Sequence, residues 1–443
     1  MEYAVILYIR VFWPDAVTPL PEPRPDYKSS SSLSQKLSDL ADPLYWPPNP
    51  RDRRDLLAPT SPLTSTYHLK GPAQASYALG DSLEAILVAR DHRGRPKTHS
   101  GHLFRTQLLG PDLKAGVAGN VRDLENGTYL LSFPLLRAGK AQVQVRLIHS
   151  SEAVAVLQGI WRDQWATVDF MGYFRGPSGY EVIVTCNVTP MLTGEEASTR
   201  HYRDEDSGEL WFCARLPTLP CNSLVRHSTG CFWNVTTQQD EALLARSLKP
   251  VDLHITYQTG PLMAVEPTRN IVLHWHAHGW PLRSLRTPVA SLHSVVRELG
   301  GLAGGPHTVV VLGLGAHFTT FPPTIFARRL AGIRAAVAAL LAREPLTLVV
   351  IKLANTGYKS VYGSDWFTLQ LNRLLRAAFA DLRVAFVDAW EMTSSLALPD
   401  DIHPGRLIVS NEVNFLLSFL CPAERPCGSW GPVGGETAKA IFA

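Results

Sequence analysis

The run TVVVL at 308–312 opens the part of the sequence that decides the fold. It is followed by a helical pattern at 326–343, the apolar run LTLVVI at 346–351, a second helical pattern at 367–382 and the run VAFV at 384–387. Short runs that are apolar throughout are typical of strands buried on both faces, and the segments between them have the spacing of amphipathic helices. This alternation predicts an α/β domain with a parallel sheet between helices, and any active site at the carboxyl ends of its strands.

The run IVL at 271–273 extends this pattern upstream, whereas the earlier residues follow a different one. Alternating polar and apolar segments at 83–88, 128–133 and 141–147 are typical of half-buried strands and predict an antiparallel, immunoglobulin-like β-sandwich. A proline- and serine-rich segment without hydrophobic period precedes them. The predicted divisions are a leader or stalk at 1–58, the β-sandwich at 59–160, a connecting segment at 161–204, the α/β domain at 205–421 and a tail at 422–443.

The charge and hydropathy of the chain exclude some classes of partner. The 42 Lys and Arg residues nearly balance the 39 Asp and Glu residues, without long runs of one sign, so the sequence predicts no binding to nucleic acid. No run reaches the roughly 18 apolar residues that a membrane span needs. Residues 3–13 are apolar except for Arg10, but they lack a basic flank and a small-residue cleavage site, so no signal segment is legible.

The cysteines and three asparagines indicate the secretory pathway. Asn126, Asn187 and Asn234 each begin an Asn-X-Thr triplet, the acceptor pattern for N-linked glycans. The cysteine spacings match no zinc site and favour disulfides. The six cysteines are Cys186, Cys213, Cys221, Cys231, Cys421 and Cys427. We therefore expect a glycoprotein that is secreted or resides in the secretory pathway, in the extracellular space or the Golgi lumen.

Several blocks of sequence resemble, in one order, the neurexophilin and PC-esterase (NXPE) family. The blocks are 61–62 with 67–69, 89–97, 116–119, 126–129 and 149–153 in the earlier half, and 250–254, 313–318, 388–393 and 402–404 in the later half. The resemblance implies a neurexophilin-like sandwich of immunoglobulin type, followed by a three-layer α/β domain of SGNH-hydrolase type. It also implies chemistry on glycans, because PC-esterase relatives are thought to add or remove acyl groups, chiefly acetyl.

The same resemblance suggests roles for residues near the end of the chain. Asp400 and His403 lie three apart in a loop after the last predicted strand, where one turn can hold a carboxylate beside an imidazole. By this carry-over His403 is the base, Asp400 orients it, and the backbone N–H of Gly315 is a donor to the oxyanion. His317 either belongs to this site or is a structural histidine at a strand end. No cofactor is predicted.

The nucleophile is the point at which the chain departs from the family pattern Gly-Asp-Ser. The best counterpart is Cys221-Asn222-Ser223, in which Ser223 is the candidate nucleophile. The glycine that permits a tight turn is replaced, and Pro217 and Pro220 interrupt what should be the first buried strand. Cys221 could instead form a disulfide with Cys213 or Cys231.

Two hypotheses about function follow. In the first, the protein is an acyl esterase or O-acyltransferase that acts on a glycan through Ser223, His403 and Asp400. In the second, the nucleophile motif is degenerate and the protein is a secreted or cell-surface binding protein, with a receptor as partner.

Two other patterns invite a functional interpretation. Gly80-Asp81-Ser82 spells the family triplet, but it opens the segment 83–88 and therefore predicts a turn and a strand start. His274, His276 and His278 alternate at the period of a strand. We interpret them as structural and not as metal ligands, because the sequence shows no acidic or thiol partner near them.

Overall fold

The computed structural model describes most of the chain between residues 43 and 420, together with the backbone of 5–11. The described residues are 5–11, 43–49, 55, 57–72, 77–110, 115–163, 166–189, 199–203, 210–216, 218–244, 262–268, 270–277, 287–288, 294–357, 361, 363–396 and 404–420. Within these ranges no helix is both long and apolar enough to span a membrane.

The first strand, β1 (Val5–Val11), belongs to a sheet built largely from the later part of the chain, whereas the next six strands form a sheet of their own. These strands are β2 (Thr66–Leu69), β3 (Ser82–Val88), β4 (Leu103–Gly110), β5 (Ala115–Asp123), β6 (Thr128–Pro134) and β7 (Gln142–His149). They pair antiparallel in the order β2-β3-β6-β5-β4-β7. As predicted, β3 begins at Ser82, after a turn in which Gly80 has a φ of 92°.

The predicted two-sheet immunoglobulin-like sandwich is wrong, because these strands form one continuous sheet that curls like half of a barrel. Strand β5 joins its two parts: Ala115 to Gly119 pair with β4, and Asn120 to Asp123 pair with β6. The small residues of β5 allow this curl, since a Cβ on Gly119 would come within 2.2 Å of the Phe133 ring. The concave face encloses a core that includes Leu87, Phe104, Leu131 and Phe133.

A helix and a second sheet follow. Helix α1 (Ser151–Arg162) begins after Ser150, whose hydroxyl accepts a hydrogen bond from the N–H of Ala153 and so caps the first turn. A short helix, α2 (Gln238–Leu244), lies between β12 and β13. The strands of this region are β8 (Val168–Arg175), β9 (Glu181–Asn187), β10 (Thr199–Arg203), β11 (Leu210–Ala214), β12 (Leu224–Phe232), β13 (Leu262–Glu266), β14 (Ile271–Ala277) and β15 (Thr287–Pro288). Six of them form the second sheet, in the order β10-β11-β9-β8-β12-β15.

The third sheet contains the stretch on which the sequence prediction was based. Its order is β13-β14-β1-β16-β17-β18, with β16 (Thr308–Gly313), β17 (Leu348–Lys352) and β18 (Ala385–Val387). The helices around it are α3 (Val295–Gly301), α4 (Pro323–Arg343), α5 (Asp365–Phe379), α6 (Ala389–Ser395) and α7 (Arg406–Ser418). The predicted strands and helices of 308–387 are therefore present.

The predicted three-layer parallel α/β domain is nevertheless wrong. Among the strands that the structure describes, only β16, β17 and β18 are parallel, whereas β1 pairs antiparallel with both β14 and β16. The run 271–273 lies in β14, which forms an antiparallel hairpin with β13 because only four residues of sequence, 267–270, join the two strands. Residues 224–232, which were expected near the first parallel strand, form β12 of the second sheet instead.

The parallel strands are buried on both faces, as the sequence indicated. Val310 and Leu312 of β16 pack into the larger core, which also contains side chains of α1, α4 and α5. Val309 and Val311, on the opposite face, pack with Leu416 of α7. The same larger core holds the early and late parts of the chain together, and within it Trp161 of α1 stacks on Phe367 of α5 with ring centroids 5.0 Å apart.

Candidate functional site

Ser223, the predicted nucleophile, ends a 3₁₀ turn just before β12 and is distant from the loop that follows β16. Its hydroxyl donates a hydrogen bond of 2.6 Å to the carbonyl of Pro220. The other end of β12 reaches that loop through Thr167, which accepts from the N–H of Trp233 and donates to the carbonyl of Thr320. Because a nine-residue strand is about 30 Å long at roughly 3.3 Å per residue, Ser223 lies far outside hydrogen-bond reach of the loop.

Gly315 and His317 lie where the sequence placed them, at the carboxyl end of a parallel strand. Gly315 has a φ of 131°, a conformation that favours glycine, and it precedes the 3₁₀ turn Ala316–Thr320. The side chain of His317 is buried. Asp400 and His403 lie outside the described residues, so their roles as orienting carboxylate and base stay predictions. The structure brings Gly315 and His317 together, and it does not bring Ser223 to them.

The three glycosylation sequons differ in exposure. Asn126 and Asn234 are exposed, and each accepts hydrogen bonds from the threonine two residues later. Asn187 is fully buried, and its Nδ2, the atom that would carry a glycan, donates a hydrogen bond of 2.7 Å to Asp169. In this folded structure only the sequons at Asn126 and Asn234 are accessible for modification.

The cysteines form one disulfide within the described residues. Cys186 of β9 is bonded to Cys213 of β11, so Cys213 is not the partner of Cys221 that the sequence left open. Cys231 is an exposed free thiol. Cys421 and Cys427 lie outside the described residues, as does the side chain of Cys221. The prediction that the chain contains disulfides is therefore confirmed by one bond that joins two strands of the second sheet.

The alternating histidines lie on β14, as far as the structure describes them. His276 Nδ1 is 3.2 Å from a carboxylate oxygen of Glu298 on α3, so the expectation that they have no acidic neighbour is wrong. The rings of His274 and His276 are 6.3 Å apart and perpendicular. His278 lies outside the described residues. No cluster of metal-ligating side chains is found among the residues that the structure covers.

The blocks 89–97 and 149–153, in the first half of the chain, meet in a buried polar cluster. Lys97 Nζ lies 2.8 Å from Glu152 Oε1, and both side chains are almost fully buried. Burial favours the neutral form of Glu152, but hydrogen bonds from His99 and Lys97 outweigh it and hold the pKa of this carboxyl well below its usual range. The N–H of Ser151 donates to Nδ1 of His102 at 2.8 Å. This cluster fixes the start of α1 against the curled sheet.

A cleft lies between the curled sheet and helices α5 and α6, and we call it the junction cleft. Its volume is about 730 Å³. Its walls are β4, β5 and β6 on one side, α5 and α6 on the other, and the segment 43–49 at one end. Gly116 of β5 permits this close approach, because a Cβ there would lie 2.0 Å from the Ser395 carbonyl at the end of α6.

Aromatic side chains form one part of the junction cleft. Tyr45, Trp46 and Trp390 line it, and Tyr45 is 61% exposed. Trp46 is held in place by a hydrogen bond of 2.9 Å from its Nε1 to the Gly101 carbonyl and by an edge contact with Trp366. Trp46 therefore presents a flat apolar surface that is held in position within the cleft.

Charged and hydroxyl groups form the rest of the lining. Arg105, Arg373, Asp123, Asp388 and Glu391 contribute the charged groups within it. Burial, and secondarily the charge of Asp388, raise the pKa of Glu391 against the opposing effect of Arg376. The hydroxyls of Thr106 and Ser394 are buried and have no hydrogen-bond partner among the described residues. Because buried hydroxyls are normally hydrogen-bonded, this combination is typical of a binding site for a polar ligand.

The sequence contained parts of the junction cleft without indicating that they meet. The block 388–393 indicates only the family, and Arg373 falls within the helical pattern at 367–382, whose spacing does not indicate a ligand contact. Tyr45 and Trp46 fell within the predicted stalk at 1–58. The small residues of 116–119 were the available signal, since glycines in a strand often mark close approach of another segment.

Comparison with known families divides the chain into two overlapping matches. Residues 80–238 match the family model described as neurexophilin. Residues 228–421 match the model described as NXPE family member 4-like, C-terminal domain. The first match includes most of the curled sheet and most of the second sheet. The junction cleft lies between side chains of the first matched region and side chains of the second.

Proposed function

The chain belongs to the NXPE family, and from this premise we propose that it is a glycan-binding glycoprotein of the secretory pathway whose ligand occupies the junction cleft. The observation that carries the proposal is the lining of that cleft, in which aromatic rings, one of them held in place, lie beside buried hydroxyl groups and charged groups. A sugar ring has an apolar face and a rim of hydroxyls, so both kinds of contact are needed to bind it.

The position of Ser223 argues against catalysis by this serine and supports the hypothesis of a binding protein. A nucleophile must approach its base within about 3 Å, and the oxyanion donors must surround the same reacting carbon. Ser223 is instead hydrogen-bonded to Pro220 and lies at the far end of β12 from Gly315. Residues 221–223 therefore favour the interpretation of a degenerate nucleophile motif.

The assignment to the secretory pathway rests on one disulfide and two exposed glycosylation sequons. The disulfide between Cys186 and Cys213 is of the kind that persists in oxidising compartments. Asn126 and Asn234 offer exposed acceptors for N-linked glycans. A cell-surface or secreted protein with these features would meet glycans on other proteins or on cells.

The proposal predicts that truncating one exposed aromatic side chain of the cleft weakens glycan binding. Tyr45→Ala is expected to reduce the affinity for an oligosaccharide by about tenfold, because truncating an aromatic group in a binding site commonly costs more than about 1 kcal/mol. Titration calorimetry on the full chain, with oligosaccharides selected on a glycan array, measures this change.

Tyr180→Ala is the matched control, because Tyr180 is also exposed, at 47%, but lies outside the cleft. This variant should bind as the wild type does. Equal loss in both variants, or no binding of any oligosaccharide by the wild type, would contradict the proposal.

A second candidate function is acyl-ester chemistry at the loop after β16. It is favoured by the positive φ of Gly315 and the buried His317 at the carboxyl end of a parallel strand. In this candidate His403 is the base and Asp400 orients it. The test is the release of acetate from an acetylated sugar by the wild type. Loss of this activity in His403→Ala would favour acyl-ester chemistry. If Ser82→Ala and Ser223→Ala both keep the activity, the nucleophile is a residue other than Ser223. Loss in Ser223→Ala would restore Ser223 to that role.

A further inference from the structure

We propose that the ligand of the junction cleft carries a negatively charged group, a carboxylate or a sulfate, which pairs with Arg373. This inference rests on the proposed glycan-binding function and adds to it the charge of the sugar. Its basis is the state of the charged groups that line the cleft.

Arg373 is a half-buried cation that lacks an anionic partner among the described residues. Its guanidinium lies 5.2 Å from the centre of the Trp46 ring. Its hydrogen bonds are both long, at 3.4 Å, and go to neutral oxygens, the carbonyl of Tyr45 and the side chain of Gln370. Burial lowers the pKa of Arg373, which shows that the charge is poorly solvated. Burying a cation without a partner is unfavourable, and a bound anion would relieve that cost.

The other charged groups inside the cleft already have partners. Arg105 lies 3.5 Å from Asp365, and Arg376 lies 2.5 Å from Asp388. Asp123 accepts hydrogen bonds from the Ser100 hydroxyl and from the N–H of Gly101.

Two carboxyl groups of the lining remain, Glu391 and Glu125. Partial burial raises the pKa of Glu391. Both side chains are exposed, so water screens their charges. Arg373 is thus the charge that a ligand can neutralise.

The neighbours of Arg373 suit an acidic sugar. The Arg373 guanidinium lies over the Trp46 ring, and a guanidinium can form a two-pronged pair with a carboxylate or sulfate. Trp390 offers a second ring, and the unpartnered hydroxyls of Thr106 and Ser394 can bond to the sugar hydroxyls. Charge pairing and hydroxyl recognition would then occur in one cleft.

The test compares three sugars that differ in the group at one position. A glucuronate-terminated trisaccharide carries a carboxylate where its glucose-terminated analogue carries a hydroxymethyl group, and a 6-sulfated glucose analogue distinguishes sulfate from carboxylate. With the wild-type full chain we expect at least one acidic sugar to bind about tenfold more tightly than the neutral one at low salt, and this preference to shrink as salt is added. Arg373→Gln should abolish the preference, so that this variant binds the acidic and the neutral sugars with equal affinity.

Arg329→Gln is the matched control, because Arg329 also lies 5.2 Å from an aromatic ring, that of Phe318, but outside the cleft. It should keep the wild-type preference. Equal binding of acidic and neutral sugars by the wild type would overturn the inference and leave the proposed function standing. The same conclusion follows if Arg373→Gln weakens both sugars equally. Failure of all three sugars and of every other oligosaccharide to bind would contradict the proposed function itself.

Discussion

Lowering the pH from 7 to 5 is expected to reduce the free energy of unfolding by about 4 kcal/mol, through two buried histidines. Burial lowers the pKa of His102 to about 3 and that of His227 to about 3. In the unfolded chain a histidine has a pKa near 6.5. Between these values the unfolded state binds more protons than the folded state, so stability rises with pH and is lost as the pH falls. Each histidine contributes about 2 kcal/mol over this interval.

The structure gives a physical reason for each neutral ring. Nδ1 of His102 accepts a hydrogen bond from the N–H of Ser151, and a protonated ring could not accept it. His227 lies in β12, fully buried, with its ring at the edge of Phe170. The low pKa of Glu152 adds a further loss only below about pH 4.5, because there this carboxylate takes up a proton in the unfolded chain but not in the folded protein.

Urea unfolding at pH 7, 6 and 5 measures the effect. The double variant His102→Gln/His227→Gln should lose most of the pH dependence in this range, even though its stability at pH 7 is lower. His68→Gln, in the exposed part of β2, is the matched control and should keep the wild-type slope. A wild-type stability that is constant from pH 7 to pH 5 would contradict this assignment.

Removing the disulfide is expected to cost about 3–4 kcal/mol of stability. Cys186 and Cys213 are 27 residues apart in sequence, and their bond restricts a loop of that length in the unfolded chain. Both sulfurs lie in the core of the second sheet, so the double variant Cys186→Ala/Cys213→Ala also leaves a small cavity.

Thermal or urea unfolding of this double variant, beside Cys231→Ala, checks the prediction. Cys231 is exposed and unpaired, so its replacement should leave the stability nearly unchanged. If the double variant is as stable as the wild type, or if Cys231→Ala costs as much, the bond does not stabilise the second sheet as described.

Local sequence patterns predicted the elements better than their assembly. The runs at 308–312 and 346–351 are strands buried on both faces, and 326–343 lies within a helix, because apolar spacing reports local burial. The direction of pairing is set by partners distant in sequence, which such patterns do not report. Strand β1 takes a central place in the third sheet although its residues were considered only as a possible leader. The small residues of β5 turn an expected sandwich into one curled sheet.

In the candidate site, too, local features could be predicted from the sequence, whereas the contacts between distant segments could not. Gly315 was placed at the carboxyl end of a parallel strand because that position depends on one strand and the residues after it. The junction cleft depends on five stretches of the chain, at 45–47, 102–106, 118–134, 369–373 and 388–394, so Arg373, Trp390 and Tyr45 could not be joined from their sequence positions. Ser223 was assigned by alignment to a motif, whereas its position depends on the sheet in which β12 lies.

Hydrogen exchange of the full chain, with and without a saturating oligosaccharide, tests most directly whether the junction cleft is the ligand site. We predict slower exchange of the backbone amides at 118–123 and 388–394 and no change at 313–320. Slower exchange confined to 313–320, with 118–123 and 388–394 unchanged, would contradict the account and place the ligand at the loop after β16.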